Sequence, residues 1–456
     1  MKHSHHGAKA FRRGMNTPRS KYYNRGRFGR LFPNLAPFLP REENLAELGR
    51  KEGVMDPGLH KQRNNPNIAA GFVFFGQFVD HDITFDPTSS LERQNDPEAT
   101  KNFRTPALEL DSVYGAGPEA SPYLYERDGM TLLIDVTAPR DLPRNSKNVA
   151  LIGDPRNDEN LIVSQLHLAF LKFHNSIVKQ VGDFEEAQRL VRWHYQWIVL
   201  HEFLPALVGQ ELVDEIYDDR YAGGGRRYYQ WRNEPFIPVE FSVAAYRFGH
   251  AQVPATLQVN DVFKVNGSSH IPLFDRDEFM DEDPDDLSGF GRRAERRFVD
   301  WNYLFDTGDG AFQASKRIDT TLSGPLFDLP FVAPGGLSSL AQRNLLRGRS
   351  FGLPTGQAVA QAMCLSPLSC DALEDVAHLG FHFQTPLWFY VLREAAVLGK
   401  GKKLGPVGGR IVAEVLIGLL EGDRFSFVRA NPQWKPTLGA KEGEFGIVDL
   451  LDFAGA

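Results

Sequence analysis

The sequence is poor in three features that would each point to a class of protein. It has only two cysteines in 456 residues, so disulfide bonds do not build its fold. It has no apolar run of about 18 residues, so no transmembrane helix is predicted. Its formal net charge is −7, and no basic block dominates it. Binding to nucleic acid is therefore not expected, and electrostatic attraction to an anionic membrane is weak.

The two cysteines, Cys364 and Cys370, lie in the segment CLSPLSC. Their spacing matches no zinc motif, and the loop between them is short. We expect two free thiols, with a local disulfide as the alternative.

The N-terminus is basic and lacks the apolar segment of a secretory signal, so we expect a cytoplasmic protein or one exported by a non-classical route. Residues 27–40, RFGRLFPNLAPFLP, contain too many prolines for a helix. Residues 1–50 are therefore predicted to form an irregular arm that wraps the core, with residues 51–456 as the main domain. Helical apolar patterns outnumber strand patterns, and no repeat is present. The predicted fold is mainly α, in a single large domain with few strands.

The remaining features are organised around Gly71 to Phe85, GFVFFGQFVDHDITF. The pair Asn65-Pro66 is typical of a helix start, and the residues from Thr84 onward are typical of a helix end. Gln77 lies three residues before Asp80 and four residues before His81, so these three share one helix face. Asp82 lies about 100° further round the helix. Buried carboxylates are costly unless they are paired, and this helix has two that point in different directions.

The run FGQFVDHDITF resembles the distal helix of the animal-type haem peroxidases, the peroxidase–cyclooxygenase superfamily, and the chain resembles a bacterial branch of it. The resemblance implies haem b as cofactor, with His81 as the distal base. It further implies an ester link from Asp80 to a haem methyl and places Asp82 as a calcium ligand. Gln77 matches the residue that lines the distal pocket.

The segment FRTPALELDSVYG, residues 103–115, places oxygen-bearing residues at alternate positions. Such donors suit calcium, and a solvated turn is the alternative. The resemblance implies that the calcium ligands beside Asp82 are Thr105, the carbonyl of Ala107, Glu109 and Asp111. Glu109 and Asp111 stand where many relatives have Asp and Ser, so the detailed ligand geometry stays open.

The segment GDPRNDEN supplies two further candidates. The resemblance implies that Arg156 is the distal catalytic arginine, whose permanent charge suits the splitting of peroxide. It also implies that Glu159 forms a second ester to haem. Asn160 stands where one vertebrate relative has a methionine bound to a haem vinyl. Because asparagine cannot form that link, we expect no third bond and poor oxidation of chloride.

The proximal side is predicted from two segments, AAYRFGH and RNLLRGRSFGLP. The resemblance implies that His250 binds the haem iron and that Asn344 accepts the N–H of this imidazole. Arg247 matches an arginine that pairs with a haem propionate, and Arg347 is a further candidate for this role. A residue that hydrogen-bonds to a metal-bound histidine fixes the tautomer and the orientation of that imidazole.

Together these residues predict a haem peroxidase that reduces hydrogen peroxide through an oxidised iron–oxo species. Expected reductants are bromide, iodide, thiocyanate and phenolic donors. One alternative is a fatty-acid dioxygenase of the same superfamily, which needs a radical tyrosine three residues before the proximal histidine. That position is Arg247, and Tyr246 is one residue off. A second alternative is a calcium-stabilised adhesion or interaction protein with a vestigial site.

Overall fold

The computed structural model describes residues 28–58, 62–85, 102, 104–135, 138, 140–274, 283–330, 332 and 335–456. The predicted arm up to residue 27 and residues 86–101 lie outside these ranges. Among the described residues, every helix is too short or too polar to cross a bilayer. Cys364 and Cys370 are both exposed and unpaired with each other, as expected.

Helices dominate the described chain, which confirms the predicted fold class. The α-helices are α1 (Glu42–Gly49), α2 (Gly71–Ile83), α3 (Asp111–Tyr114), α4 (Leu161–Val181), α5 (Phe184–Ile198), α6 (Leu204–Val208), α7 (Gln210–Ile216), α8 (Gly249–Gln252), α9 (Leu340–Ser350), α10 (Gly356–Ala362), α11 (Leu387–Leu398), α12 (Pro406–Gly422), α13 (Phe427–Ala430) and α14 (Ile447–Ala454).

Tighter and wider helical turns connect these helices. The 3₁₀ turns are Pro122–Leu124, Pro155–Asp158, Asp218–Tyr221, Ala245–Phe248, Trp301–Tyr303, Gly324–Phe327 and Cys370–Leu379. The π turns are Val199–Phe203 and Glu240–Ala244. A π turn inside a helix often marks a functional site, and the second one opens the segment that carries His250.

The few strands form two small antiparallel sheets. In the first, β1 (Asn64–Ala69) pairs with β4 (Ala314–Lys316). In the second, β2 (Thr256–Leu257) pairs with β3 (Ile271–Pro272). The predicted helix start at Asn65-Pro66 is therefore wrong, because these residues pair as a strand and helix α2 begins only at Gly71. Pairing with residues about 250 positions away cannot be read from a local signal.

The core holds α2 in place through its phenylalanines. Phe74, Phe75 and Phe78 are all buried. The ring of Phe78 stacks on that of Phe170 in α4, with 4.7 Å between centroids. Stacked and edge-on aromatic pairs add specific geometry to the apolar area that they bury. The polar face of α2 is consequently fixed in rotation towards the segments that follow.

The first described residues, from Phe28 onward, lie against Glu240 and the end of α9. The buried carboxylate of Glu240 accepts hydrogen bonds from the backbone N–H of Leu31 and Phe32, at 2.9 and 3.1 Å. Arg30 donates to the carbonyls of Phe351 and Gly352. The last part of the predicted irregular arm is instead helix α1, where Leu45 and Leu48 face the core. The boundary at residue 50 stays a prediction.

Candidate active site

Helix α2 presents its polar side chains to two different surroundings. Gln77, Asp80 and His81 face the segment around Glu159, and Asp82 faces the loop that precedes α3. This is the division that helical spacing predicts. Gln77 and Asp80 are partly accessible, whereas Phe78 and Val79 between them are buried.

His81 is buried, and its Nδ1 is hydrogen-bonded. Its Nδ1 lies 2.8 Å from Oδ1 of Asn157, and its Nε2 lies 3.7 Å from Oε1 of Glu159. Burial, with the charge of Arg156 added, lowers the pKa of His81 to about 3. The imidazole is therefore neutral at neutral pH, which is the form that can accept a proton.

The segment after Asp154 forms a tight turn that places Arg156. The Asp154 carboxylate accepts the backbone N–H of Arg156 at 2.9 Å and so caps the 3₁₀ turn that begins at Pro155. It also accepts from Nε and Nη2 of Arg156, at 3.1 and 2.8 Å. Nη2 further donates to the carbonyls of His81 and Thr84. Nη1 makes no hydrogen bond to a described residue, and the side chain is 25 % exposed.

Glu159 forms the centre of a small hydrogen-bonded group with α2. Nε2 of Gln77 donates to Oε1 of Glu159. Oε1 of Gln77 accepts from the amide of Asn160 at 3.2 Å. Asn160 also caps α4, because its side chain accepts the N–H of Val163. Burial raises the pKa of the Glu159 carboxyl to about 7, against the opposing effect of Arg156.

The proximal candidates meet at the side chain of Asn344. Its Nδ2 lies 2.7 Å from Nδ1 of His250, and its Oδ1 accepts from Nη1 of Arg247 at 2.6 Å. Asn344 thus presents an N–H donor to His250, the reverse of the expected direction, because Arg247 occupies the amide oxygen. Burial lowers the pKa of His250 to about 3 and that of Arg247 to about 10.

One cavity of about 120 Å³ is lined by residues from several segments of the chain. Asp80 and Thr84 come from α2 and its C-terminal end, and Arg156 comes from the 3₁₀ turn that begins at Pro155. Arg247 comes from the 3₁₀ turn before α8, and Arg347 comes from α9. The rest of the lining is Phe28, Ser242, Val243 and Phe351. Asp80 and Arg247 lie close enough for their charges to interact. Burial nevertheless raises the pKa of Asp80. Arg247 and Arg347 both line the cavity and lie close enough for their charges to interact, so this surface is suited to binding carboxylate groups.

The predicted calcium residues come together only in part. The buried carboxylate of Asp82 accepts the N–H of Leu110 at 3.1 Å, which ties α2 to the loop before α3. Both oxygens of the buried Asp111 carboxylate lack a hydrogen bond. Burial raises the pKa of Asp82 to about 7 and raises that of Asp111 well above its usual range, and Glu109 adds to both shifts. Thr105 and Ala107, which precede Asp111 in the same loop, are also buried. The N–H of Ala107 donates to the carbonyl of Thr105.

No group of three or more His, Cys, Asp or Glu is arranged to hold a metal ion within the described part of the chain. The counter-charge in this region is Arg104, whose Nη1 lies 3.3 Å from Oδ1 of Asp111. The other terminal nitrogen of Arg104 pairs with Asp154. Acidic and basic side chains therefore alternate from the candidate calcium loop to Arg156.

Sequence reasoning missed three residues that position the candidates, namely Arg104, Asp154 and Asn157. Asp154 carries a usable signal, since an acidic residue before Pro155 is typical of the start of a helical turn. Asn157 and Arg104 carry none, because their partners lie far away in sequence.

The family model for the animal haem peroxidase matches residues 91–434. Chorion peroxidase of Drosophila melanogaster is 26% identical over 378 residues, which are 76% of this chain and 43% of the relative. The chain thus spans less than half the length of that relative.

Two solved structures resemble the fold. Peroxidase A from Dictyostelium discoideum has a TM-score of 0.65 and 16% identity, and covers 94% of this chain and 93% of its own. The Oryza sativa fatty acid alpha-dioxygenase has a TM-score of 0.59 and 17% identity, over 88% of this chain and 77% of its own. These likenesses concern the fold. The match to the family model begins after α2, so it does not depend on His81. It spans more than half of the 456 residues. The chain therefore belongs to the animal haem peroxidase family.

Proposed function

We propose that the protein is a haem peroxidase that reduces hydrogen peroxide and oxidises small anions or phenols. The observation that carries the proposal is the shared cavity. Its lining brings together Asp80, Arg156 and Arg247, and the charge of Asp80 interacts with both arginines. His81 is the next residue after Asp80, and His250 follows Arg247 by three residues.

The residues around the cavity fit haem. His250 would bind the iron, and Arg247 and Arg347 would meet the propionates, for which bidentate guanidinium donors are suited. Asp80 and Glu159 are partly accessible carboxyls, and ester links to the ring would form at these two groups. Their raised pKa values favour the neutral acid. Bound haem would supply the iron and the two electrons that peroxide takes up.

The chain would supply the proton transfers. Nε2 of His81 would accept a proton from one peroxide oxygen and return it to the other, so that the second oxygen leaves as water. Arg156 would stabilise the negative charge that develops on the leaving oxygen, through Nη1, the nitrogen that makes no hydrogen bond to a described residue. Its other donors hold it against Asp154 and the carbonyls of α2.

Bromide, iodide and thiocyanate are the proposed small substrates. Asn160 supports this choice, because its side chain cannot form a sulfonium link to haem, and it is engaged in capping α4 and in bonding Gln77. Without that link, chloride oxidation should be weak.

Absorbance spectra and steady-state assays test the proposal. The purified protein should show a Soret band and oxidise bromide in the presence of peroxide. His81→Ala should keep the Soret band and lose turnover by at least about 100-fold, whereas His250→Ala should lose normal haem ligation. The matched control is His270→Ala, an exposed histidine away from the cavity. Protein without a Soret band after haem supplementation would contradict the proposal.

A fatty-acid dioxygenase is the second candidate, because alpha-dioxygenase structures share the fold. The geometry of Tyr246 weighs against it. The hydroxyl of Tyr246 donates to the carbonyl of Gly76 at 3.2 Å, and its ring stacks on Phe241. Oxygen uptake with a fatty acid that is lost in Tyr246→Phe would favour the dioxygenase.

A further inference from the structure

Asn157 joins two buried histidines that belong to different elements. Its Oδ1 lies 2.8 Å from Nδ1 of His81 on α2. Its Nδ2 lies 2.9 Å from Nδ1 of His167 on α4. All three side chains are buried, and His167 is 0 % exposed. One amide therefore contacts one nitrogen of each imidazole.

These contacts link the tautomers of the two rings. An amide oxygen can only accept, so Nδ1 of His81 must carry its proton and Nε2 must be free. An amide nitrogen can only donate, so Nδ1 of His167 must be free and its Nε2 must carry the proton. Nε2 of His167 has no hydrogen-bond partner among the described residues. Turning the amide over would reverse both tautomers together.

The backbone around Asn157 is clamped, which keeps the amide between the two rings. The neighbouring carboxylate of Asp158 accepts from Arg144 at 2.8 and 2.9 Å and from Arg293 at 2.8 Å. Gly289 N–H donates to the carbonyl of Glu159 at 2.9 Å. A Cβ on Gly289 would lie 1.9 Å from the Asp158 carbonyl oxygen, so the approach is as close as a glycine allows.

We propose that Asn157 is a positioning residue that sets the tautomer of His81, and that Nδ1 of His167 supports it by accepting the second hydrogen bond of the Asn157 amide. The arrangement keeps Nε2 of His81 unprotonated and ready to accept a proton, with Nδ1–H anchored to an oxygen throughout the transfer. The tautomer of His81 is a property of the folded chain. Only the effect of this tautomer on the reaction with peroxide rests on the proposed function.

Nitrogen-detected NMR of the histidine-labelled full chain tests the tautomer without any turnover. Where haem is bound, the spectra are recorded on the diamagnetic ferrous carbonyl form. The Nδ1–H tautomer is expected for His81 and the Nε2–H tautomer for His167, with each signal assigned by its His→Gln variant. In Asn157→Leu, His81 should shift towards the Nε2–H tautomer that free imidazole favours. A wild-type His81 in the Nε2–H form, or an unchanged His81 in Asn157→Leu, overturns the proposal.

Rapid-mixing kinetics then separate positioning from packing. In Asn157→Leu the rate constant for reaction with peroxide should fall about 100-fold, with the KM for bromide unchanged. Asn157→Asp, which keeps an acceptor towards His81, should recover most of that rate. His167→Leu should lose about tenfold. The matched control is His194→Leu, since His194 is equally buried, bonds one backbone carbonyl and has an unpartnered Nε2 within the described chain.

The two experiments distinguish failure of the inference from failure of the proposed function. A protein that neither binds haem nor reacts with peroxide, yet has the expected tautomers, contradicts the proposed function alone. An active peroxidase whose Asn157→Leu variant reacts within twofold of the wild type contradicts the inference alone.

Discussion

The carboxylate of Asp154 holds the guanidinium of Arg156 through two separate nitrogens, Nε at 3.1 Å and Nη2 at 2.8 Å. The same carboxylate pairs with the buried Arg104. These two arginines keep the pKa of Asp154 well below its usual range although burial opposes the charge. One buried anion thus orients the candidate catalytic arginine and neutralises a second cation.

Replacing this anion should therefore damage both stability and activity. Asp154→Asn leaves two guanidinium groups facing a neutral amide, one of them buried, and breaking such a pair costs about 3–5 kcal/mol. Urea unfolding should show this loss, and the rate of reaction with peroxide should fall with it. Glu186→Gln removes an exposed pair with Arg189 and should cost less than about 1 kcal/mol. Equal losses in the two variants would contradict the proposed role of Asp154.

Calcium should stabilise the protein through Asp82 and Asp111. The two carboxyls have raised pKa values, and the oxygens of Asp111 lack hydrogen bonds, so a cation would relieve both conditions. Calcium at about 100 times its Kd should add about 2.7 kcal/mol to the free energy of unfolding, and a chelator should remove it.

The control for the calcium prediction is another carboxylate. Asp82→Asn should lose the response, whereas Asp128→Asn should keep it, because Asp128 is exposed and bonds only within its own loop. A melting temperature that calcium leaves unchanged would indicate that Arg104 alone balances these carboxylates.

Much of the site was predictable from the sequence because helix geometry is local. The spacing of Gln77, Asp80 and His81 separates them from Asp82, and the structure keeps that separation. Position along one helix fixes direction without knowledge of the rest of the chain.

What failed depended on contacts between distant segments. Asn65 sits in a strand because it pairs opposite Ser315. Asn157 bridges two helices, and its partner His81 lies 76 residues earlier. The direction of the Asn344 amide depends on Arg247, which is 97 residues away. Hydrogen-bond partners of this kind follow from tertiary packing, which no single segment encodes.

Covalent attachment should depend on Asp80 and Glu159. In the wild type, haem should stay with the protein on acid–acetone extraction. In the double variant Asp80→Asn, Glu159→Gln, all haem should enter the organic phase, because neither amide side chain can form an ester. Each single variant should retain one bond. Gln77→Leu, which removes the donor to Glu159, serves as a neighbouring control that keeps both carboxyls. Complete extraction from the wild type would exclude the ester links.

Haem binding should require the Asn344 amide to change its partner. An imidazole that binds iron through Nε2 keeps its proton on Nδ1 and needs an acceptor there, yet Asn344 presents Nδ2 to His250. Asn344→Asp offers an oxygen in either orientation and should bind haem at least as tightly as the wild type. Asn344→Leu should bind it about 10- to 100-fold more weakly. Titration with haem, followed at the Soret band, measures both affinities, and equal affinity in the two variants would contradict this account.

Acid should destabilise the fold through buried neutral histidines such as His174. Its Nδ1 accepts from the hydroxyl of Tyr114 at 3.0 Å and its Nε2 donates to the carbonyl of Met130 at 2.9 Å. Burial lowers the pKa of His174 from 6.5 to about 4. The unfolded chain therefore binds the proton first, so this contribution is complete above pH 6.5 and is lost as pH falls towards 4. The shift corresponds to about 3 kcal/mol.

Urea unfolding between pH 7 and pH 4.5 measures this dependence. Glu394 has the opposite sign, because burial raises its pKa to about 7 and its contribution declines as pH rises. Comparison of variants removes that background. His174→Gln should flatten the acid slope, since a glutamine takes up no proton. It should also lower the stability at pH 7, because it loses the edge-on packing of the imidazole ring against Tyr114. His270→Gln, at an exposed position, should keep the wild-type slope. A slope in His174→Gln equal to that of the wild type would mean that the acid sensitivity arises at other buried groups.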